Sequence, residues 1–220
     1  MTTAIELIRL RETVQERMKT ILASAGEGCH DFDHTLRVLE NARMLADEEA
    51  CPEAEKFMIE LAALLHDCAR PEEFASRGKV CHAALGAEKA ESILRDHGCR
   101  DEAMIRTVCD AVRCHRYRGK ARPQSRVAKV LYDADKLDSI GAVGIGRAFH
   151  YAGCLGARLH NTEAEARNSP EYSREDTAYR EYLVKLRHIP ERLTTASGRR
   201  HARERTEFMH EFFQRMNAGR

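Results

Sequence analysis

The chain has 220 residues, of which 32% are charged and 43% hydrophobic, and carries a formal net charge of +1. That balance suits one ordinary globular domain and gives no global attraction to nucleic acid or to a membrane surface. No run of about 18 uncharged apolar residues occurs, and Glu6, Arg9, Arg11 and Glu12 interrupt the start, so neither a membrane span nor a signal peptide is expected.

Nearly every segment carries a helical period. Leu7, Leu10, Val14, Met18 and Ile21 form a first stripe, closed by Gly26 and Gly28. A second helix opens near Asp31–Asp33, with His34, Val38, Ala42 and Leu45 on one face. The third covers about 53–67 through Phe57, Leu61 and Leu64, and Pro71 is expected to stop it. The fourth runs over about 80–97 through His82, Gly86, Ala90 and Ile93, and the fifth contains Ile105, Val108, Val112 and His115. A sixth spans about 125–138, followed by a small-residue helix beginning at Ala142. The polar stretch 156–173 reads as a long loop or flap. Two helices close the chain, about 174–187 and 198–217, the second with Phe208, Phe212 and Met216 on one face. Alternating strand patterns are almost absent, so the expected fold is all-α, a single domain with a core over about 30–150 and a C-terminal helical extension.

The most informative pair is His66-Asp67, at the end of the apolar run 57–65. A buried carboxylate must be paired, hydrogen-bonded or metal-bound, because the isolated ion is very costly to desolvate. His34, His82, His115 and Asp135 also fall on apolar helical faces, the composition of a divalent-metal site gathered from several helices. For all of them to be structural, each would need its own buried partner. The position of His66 and Asp67 near a helix C-terminus favours a bound cation. Imidazole and carboxylate without cysteine suit Mn²⁺, Fe²⁺, Ni²⁺, Co²⁺ or Zn²⁺ better than an all-oxygen Ca²⁺ cage. The eight cysteines contain no Cys-x-x-Cys pair, which removes zinc knuckles and thioredoxin-type motifs and leaves the reduced thiols of a cytoplasmic protein as the expectation. Arg70, Lys136, Arg113, Arg116, Arg118 and Lys120 could meet phosphate, or could be solvated loop charges. The glycines of 141–146 follow a helix rather than a strand, so they read as close helix packing and not as a dinucleotide turn.

The order His34, then His66-Asp67, then Asp135 within Asp133-Ala134-Asp135-Lys136-Leu137-Asp138 resembles the HD-domain metal-dependent phosphohydrolases. The continuation Ser139-Ile140-Gly141-Ala142-Val143-Gly144-Ile145-Gly146-Arg147-Ala148-Phe149 is similar to a small stand-alone bacterial branch described as nucleotide pyrophosphohydrolases. The resemblance implies an HD-type helical bundle whose metal ligands are His34, His66, Asp67 and Asp135; His30 of the neighbouring His30-Asp31 is not one of them. It implies a divalent ion (Mn, Mg, Ni, Co, Fe or Zn), with a second held if His82 and His115 are ligands rather than phosphate-binding groups. Asp67 and Lys136 are the expected catalytic residues, and Arg70, His82, His115 and Arg116 the expected substrate-binding ones. The expected substrate is a nucleotide, with pyrophosphate release from a nucleoside or deoxynucleoside triphosphate favoured. A phosphomonoesterase or phosphodiesterase, a di-iron oxygenase and a non-catalytic nucleotide sensor are the alternatives, and a homodimer stays open. Asp133, two residues from Asp135 and so about 200° round the helix, is expected to support the site, cap or lie at the surface.

Overall fold

The computed structural model describes residues 3–23, 31–76, 78–117, 119 and 121–219. Gly26, Gly28, His30, Arg118 and Lys120, to which the sequence assigned roles, lie outside the described residues. Among the described residues the fold is all-α, as expected, with no strand.

The chain forms two compact units, Met1–Asp135 and Lys136–Arg220. In the first, α1 (Ala4–Ala23), α2 (Phe32–Glu48) and α3 (Glu53–Leu65) pack together, and α3 also meets α6 (Glu102–Cys114), which lies along α5 (His82–Asp96). The stripe of α1 is Leu10, Val14, Met18 and Leu22, all buried. Glu60 of α3 ties three helices: it accepts from Arg11 of α1 at 2.9 Å and from Arg43 of α2 at 2.8 Å. The helix α7 (Arg126–Asp138) carries buried side chains at every position from 130 to 138, and Asn41 of α2 donates to its Ala134 carbonyl.

In the second unit, α8 (Gly141–Cys154) packs against α10 (Ala178–Val184) and α11 (Ala196–Ala218). Gly141 opens α8 at φ +77°, and a Cβ there would press on Arg205 of α11, so this glycine does serve close helix packing.

Four elements differ from the sequence expectation. Pro71 does not stop α3, which ends at Leu65; it sits in the first turn of a short helix α4 (Arg70–Ala75), where its missing N–H has no partner to lose. The polar stretch 156–173 contains a helix α9 (Glu163–Asn168) opened by a capping box of Thr162 and Glu165. The helix expected over 174–187 starts only after Thr177, whose side chain caps it, and gives way to 3-10 turns at Leu186–His188 and Pro190–Arg192. In α11 the buried stripe is Ala202, Met209 and Phe213, while Phe208 is exposed. Two apolar stripes lie side by side on that helix, and Tyr179 and Tyr182 pack on Phe213 rather than on Phe208.

Candidate metal centre

Helix ends deliver the site. Asp31 caps α2 by accepting from the backbone N–H of His34 at 2.8 Å, fixing that residue in the first turn. His66 follows the last residue of α3 and His115 the last residue of α6, while His82 opens α5. All four imidazoles are buried, as are Asp67 and Asp135.

Two of the rings are held alike. His66 Nδ1 lies 2.7 Å from the Ala63 carbonyl and His115 Nδ1 lies 2.6 Å from the Val112 carbonyl. A carbonyl only accepts, so each Nδ1 carries the proton and each Nε2 presents a lone pair. His82 Nδ1 has a Glu73 carboxylate oxygen at 2.8 Å, close to the ring but off its N–H axis.

Two groupings result, joined by Asp67. In the first, His66 Nε2 is 3.3 Å from His34 Nε2 and 3.4 Å from Asp67 Oδ2, and His34 Nε2 is 3.6 Å from both Asp67 Oδ2 and Asp135 Oδ1. In the second, His82 Nε2 and His115 Nε2 are 3.1 Å apart, with Asp67 Oδ1 at 3.8 Å and 3.5 Å from them. Asp67 thus turns one oxygen to each grouping. Its Oδ1 also accepts from Arg70 Nε at 2.8 Å.

A divalent ion fits the first grouping. Ligands at right angles on an ion with bonds of about 2.1 Å stand roughly 3 Å apart, close to the spacings found. Lone pairs facing each other at such distances repel unless a cation or proton lies among them. The electrostatics agree: burial opposes charge on His66, yet Asp67 and Asp135 hold its pKa above the ordinary imidazole value. His115, equally buried, is pushed down to about 4 by desolvation, so it stays neutral with its lone pair available.

Of the expected phosphate-binding residues, Arg70 and Arg116 reach this neighbourhood. Arg70 Nη1 donates to Glu73 at 2.7 Å, and Arg116 donates to Cys81 Sγ at 3.3 Å and lies 3.5 Å from Glu73. Arg113 is exposed. Lys136 is buried, one residue and so about 100° beyond Asp135 on α7. Asp133 is fully buried, which removes its surface reading. Cys68 is the apolar filler expected: burial pushes its thiol up to about 12, and it donates to the Gly86 carbonyl. Among the described residues, His97, His150, His160, His188, His201 and His210 belong to neither grouping.

Sequence reasoning missed Glu73. It sits in Pro71-Glu72-Glu73, a run that reads as a solvated first turn, yet Arg70 and His82 draw its carboxyl down to about 2 against the opposing effect of burial. Its spacing of three from Arg70 was the one available signal.

A family model described as HD domain matches residues 31–140. YpgQ of Bacillus subtilis (strain 168) is 30% identical over 212 residues, spanning 95% of this chain and 93% of its own. The crystal structure of Bacillus subtilis YpgQ in complex with ADP superposes with a TM-score of 0.73 at 25% identity, covering 98% of this chain and 97% of that one. A predicted HD superfamily hydrolase from an uncultured Thermotogales bacterium superposes with a TM-score of 0.67 at 31% identity, covering 94% and 91%.

Proposed function

Because this chain belongs to the HD-domain family of metal-dependent phosphohydrolases, we propose that it hydrolyses nucleotides, releasing pyrophosphate from a nucleoside or deoxynucleoside triphosphate. The observation that supports the reading is the buried grouping of His34, His66 and Asp67, with Asp135 3.6 Å from His34 and the Arg70 guanidinium on Asp67. The nucleotide comes from likeness to YpgQ, whose crystal structure is a complex with ADP.

In this reading the four residues hold one divalent ion. Bound there, the ion supplies a Lewis acid that offsets phosphoryl charge and makes water more acidic. Asp67 gives Oδ2 to that grouping and keeps Oδ1 under Arg70. Asp67 is also the catalytic carboxylate, placed to orient a water by accepting its hydrogen bond. His82 and His115 offer their Nε2 lone pairs to a water beside the phosphate chain, and Arg70 and Arg116 neutralise that chain. Lys136 adds a cation directly after Asp135, a role that Lys136→Ala tests through kcat. The seven cysteines among the described residues are free thiols and no described helix is long and apolar enough to cross a membrane, which suits the proposed cytoplasmic location.

One observation favours a second reading. Asp67 Oδ1, His82 and His115 could hold another ion, and a metal-to-protein ratio of two, with iron and oxygen uptake, would move the assignment towards a di-iron oxygenase.

The test is a panel of nucleotides and phosphoesters assayed with Mn²⁺, Mg²⁺, Ni²⁺ and Co²⁺, with products identified. Pyrophosphate and a nucleoside monophosphate are the expected products. A panel without nucleotide turnover under any metal would replace the enzyme by a nucleotide sensor.

A further inference from the structure

We propose that Glu73 is a positioning residue for substrate phosphate: its carboxylate fixes Arg70 and draws in Arg116 so that their remaining donor edges face the phosphate chain. The proposal rests on the phosphohydrolase reading and adds to it a residue one layer behind the reacting groups.

Glu73 is where three of the four expected substrate-binding groups come close together. Its Oε2 accepts from Arg70 Nη1 at 2.7 Å and lies 2.8 Å from His82 Nδ1, while its Oε1 is 3.5 Å from Arg116 Nη2. The short helix α4 sets this up, because Arg70 and Glu73 stand three apart on one face.

The consequence is sharpest for Arg70. Asp67 holds its Nε and Glu73 holds its Nη1, and among the described residues Nη2 has no protein partner. A guanidinium fixed along two edges keeps one donor edge to offer, with little rotamer freedom left to lose when an anion arrives. At His82 the Glu73 oxygen lies beside Nδ1 but off its N–H axis, so it meets the ring as a neighbouring charge and not as a hydrogen-bond acceptor.

Charge and position make opposite forecasts. Glu73 is an anion behind a proposed anion site, so by Coulomb attraction alone its removal would tighten phosphate binding. If Glu73 acts by positioning, removal weakens binding, because the two guanidiniums lose their common anchor. A merely structural ion pair would lower stability and leave affinity unchanged.

The experiment compares full-length, metal-loaded wild type with Glu73→Ala, Glu73→Gln and Glu73→Asp. It measures bound metal, thermal melting, inorganic pyrophosphate affinity by calorimetry, and steady-state nucleotide hydrolysis. Glu73→Ala is expected to keep its metal while pyrophosphate Kd and nucleotide KM each rise about 10-fold or more, the scale typical of losing such a support. Glu73→Asp should recover part of the affinity. Unchanged or tighter pyrophosphate binding in Glu73→Ala overturns the proposal, whatever happens to the melting temperature. Should Glu73→Ala not fold, the nearly isosteric Glu73→Gln decides by the same criterion. A wild type that turns over no nucleotide defeats the phosphohydrolase reading, and the pyrophosphate affinities then still decide Glu73. A wild type that binds no pyrophosphate defeats both.

Discussion

Asp67 spends its two oxygens in different directions, and the contrast between Asp133 and Asp135 depends on how such carboxylates are placed. Both of the latter are buried on α7, but a separation of two residues points them about 200° apart. Asp135 stands 3.6 Å from His34. We therefore expect Asp135→Ala to lose both bound metal and turnover. Asp133→Asn should retain its metal and lose at most about 10–100-fold in activity. Metal analysis beside kinetics checks this, and a metal-free Asp133→Asn with an active Asp135→Ala would reverse the assignment. At this scale the sequence was legible where chemistry is rare: a histidine or aspartate on an apolar helix face is conspicuous. Glu73 was not, since a glutamate in a charged first turn looks like any solvated residue until the folded chain brings His82 and Arg116 to it. Nor could helical phase show that α7 is buried on every side, so inward direction alone could not rank Asp133 below Asp135.

Elements were legible in their existence and less so in their ends, for reasons that lie in capping and packing. Asp31, Asp101 and Thr162 each accept backbone N–H groups at a helix start, whereas Pro71 looked like a stop and proved to be a start. The glycines opening α8 separate two roles. A Cβ on Gly144 would come within 2.2 Å of the Ser139 carbonyl oxygen, while one on Gly146 would meet nothing within 4 Å. Gly146→Ala should then stabilise by roughly 0.5–1 kcal/mol, the ordinary gain inside a helix. Gly144→Ala should destabilise by about 2 kcal/mol or more, because backbone rather than a flexible side chain must move. Urea melts of the two variants compare them directly, and similar midpoints would refute the close approach. Glu60 gives a second forecast. Arg43 and Arg11 outweigh burial and hold its carboxyl below the ordinary 4.5, so its stabilisation is present above that value and fades as pH falls through the lowered one. Glu60→Gln should cost about 1–2 kcal/mol near neutrality. The gap from wild type in thermal melts should narrow in acid, and a gap that widens there would contradict the bridge.

For the whole molecule, the distribution of the site residues matters more than their number. His34, His66, Asp67, His82, His115 and Asp135 all fall within Met1–Asp135, and of the proposed site residues Lys136 alone belongs to Lys136–Arg220. In the first unit the Nε2 atoms of His34 and His66 stand 3.3 Å apart and those of His82 and His115 3.1 Å apart, beside two buried carboxylates. Gathering that many ring nitrogens and carboxylate oxygens away from water is costly unless a cation or protons lie among them. An ion that binds only the folded chain therefore stabilises it by mass action, about 2.7 kcal/mol at a free concentration 100 times its Kd. Chelation should lower the melting temperature, and its mark should be uneven. Amide exchange should rise most at the start of α2, after the last turn of α3 and around Asp135 in α7, where the ligand-bearing residues sit. In α10 and α11, whose aromatic contacts among Tyr179, Tyr182 and Phe213 involve no site residue, it should change little. Hydrogen exchange with and without chelator, followed by mass spectrometry, reads both at once. Equal loosening of both units would show that the ion acts on the molecule as a whole, and protection that never changes would remove it from the fold altogether.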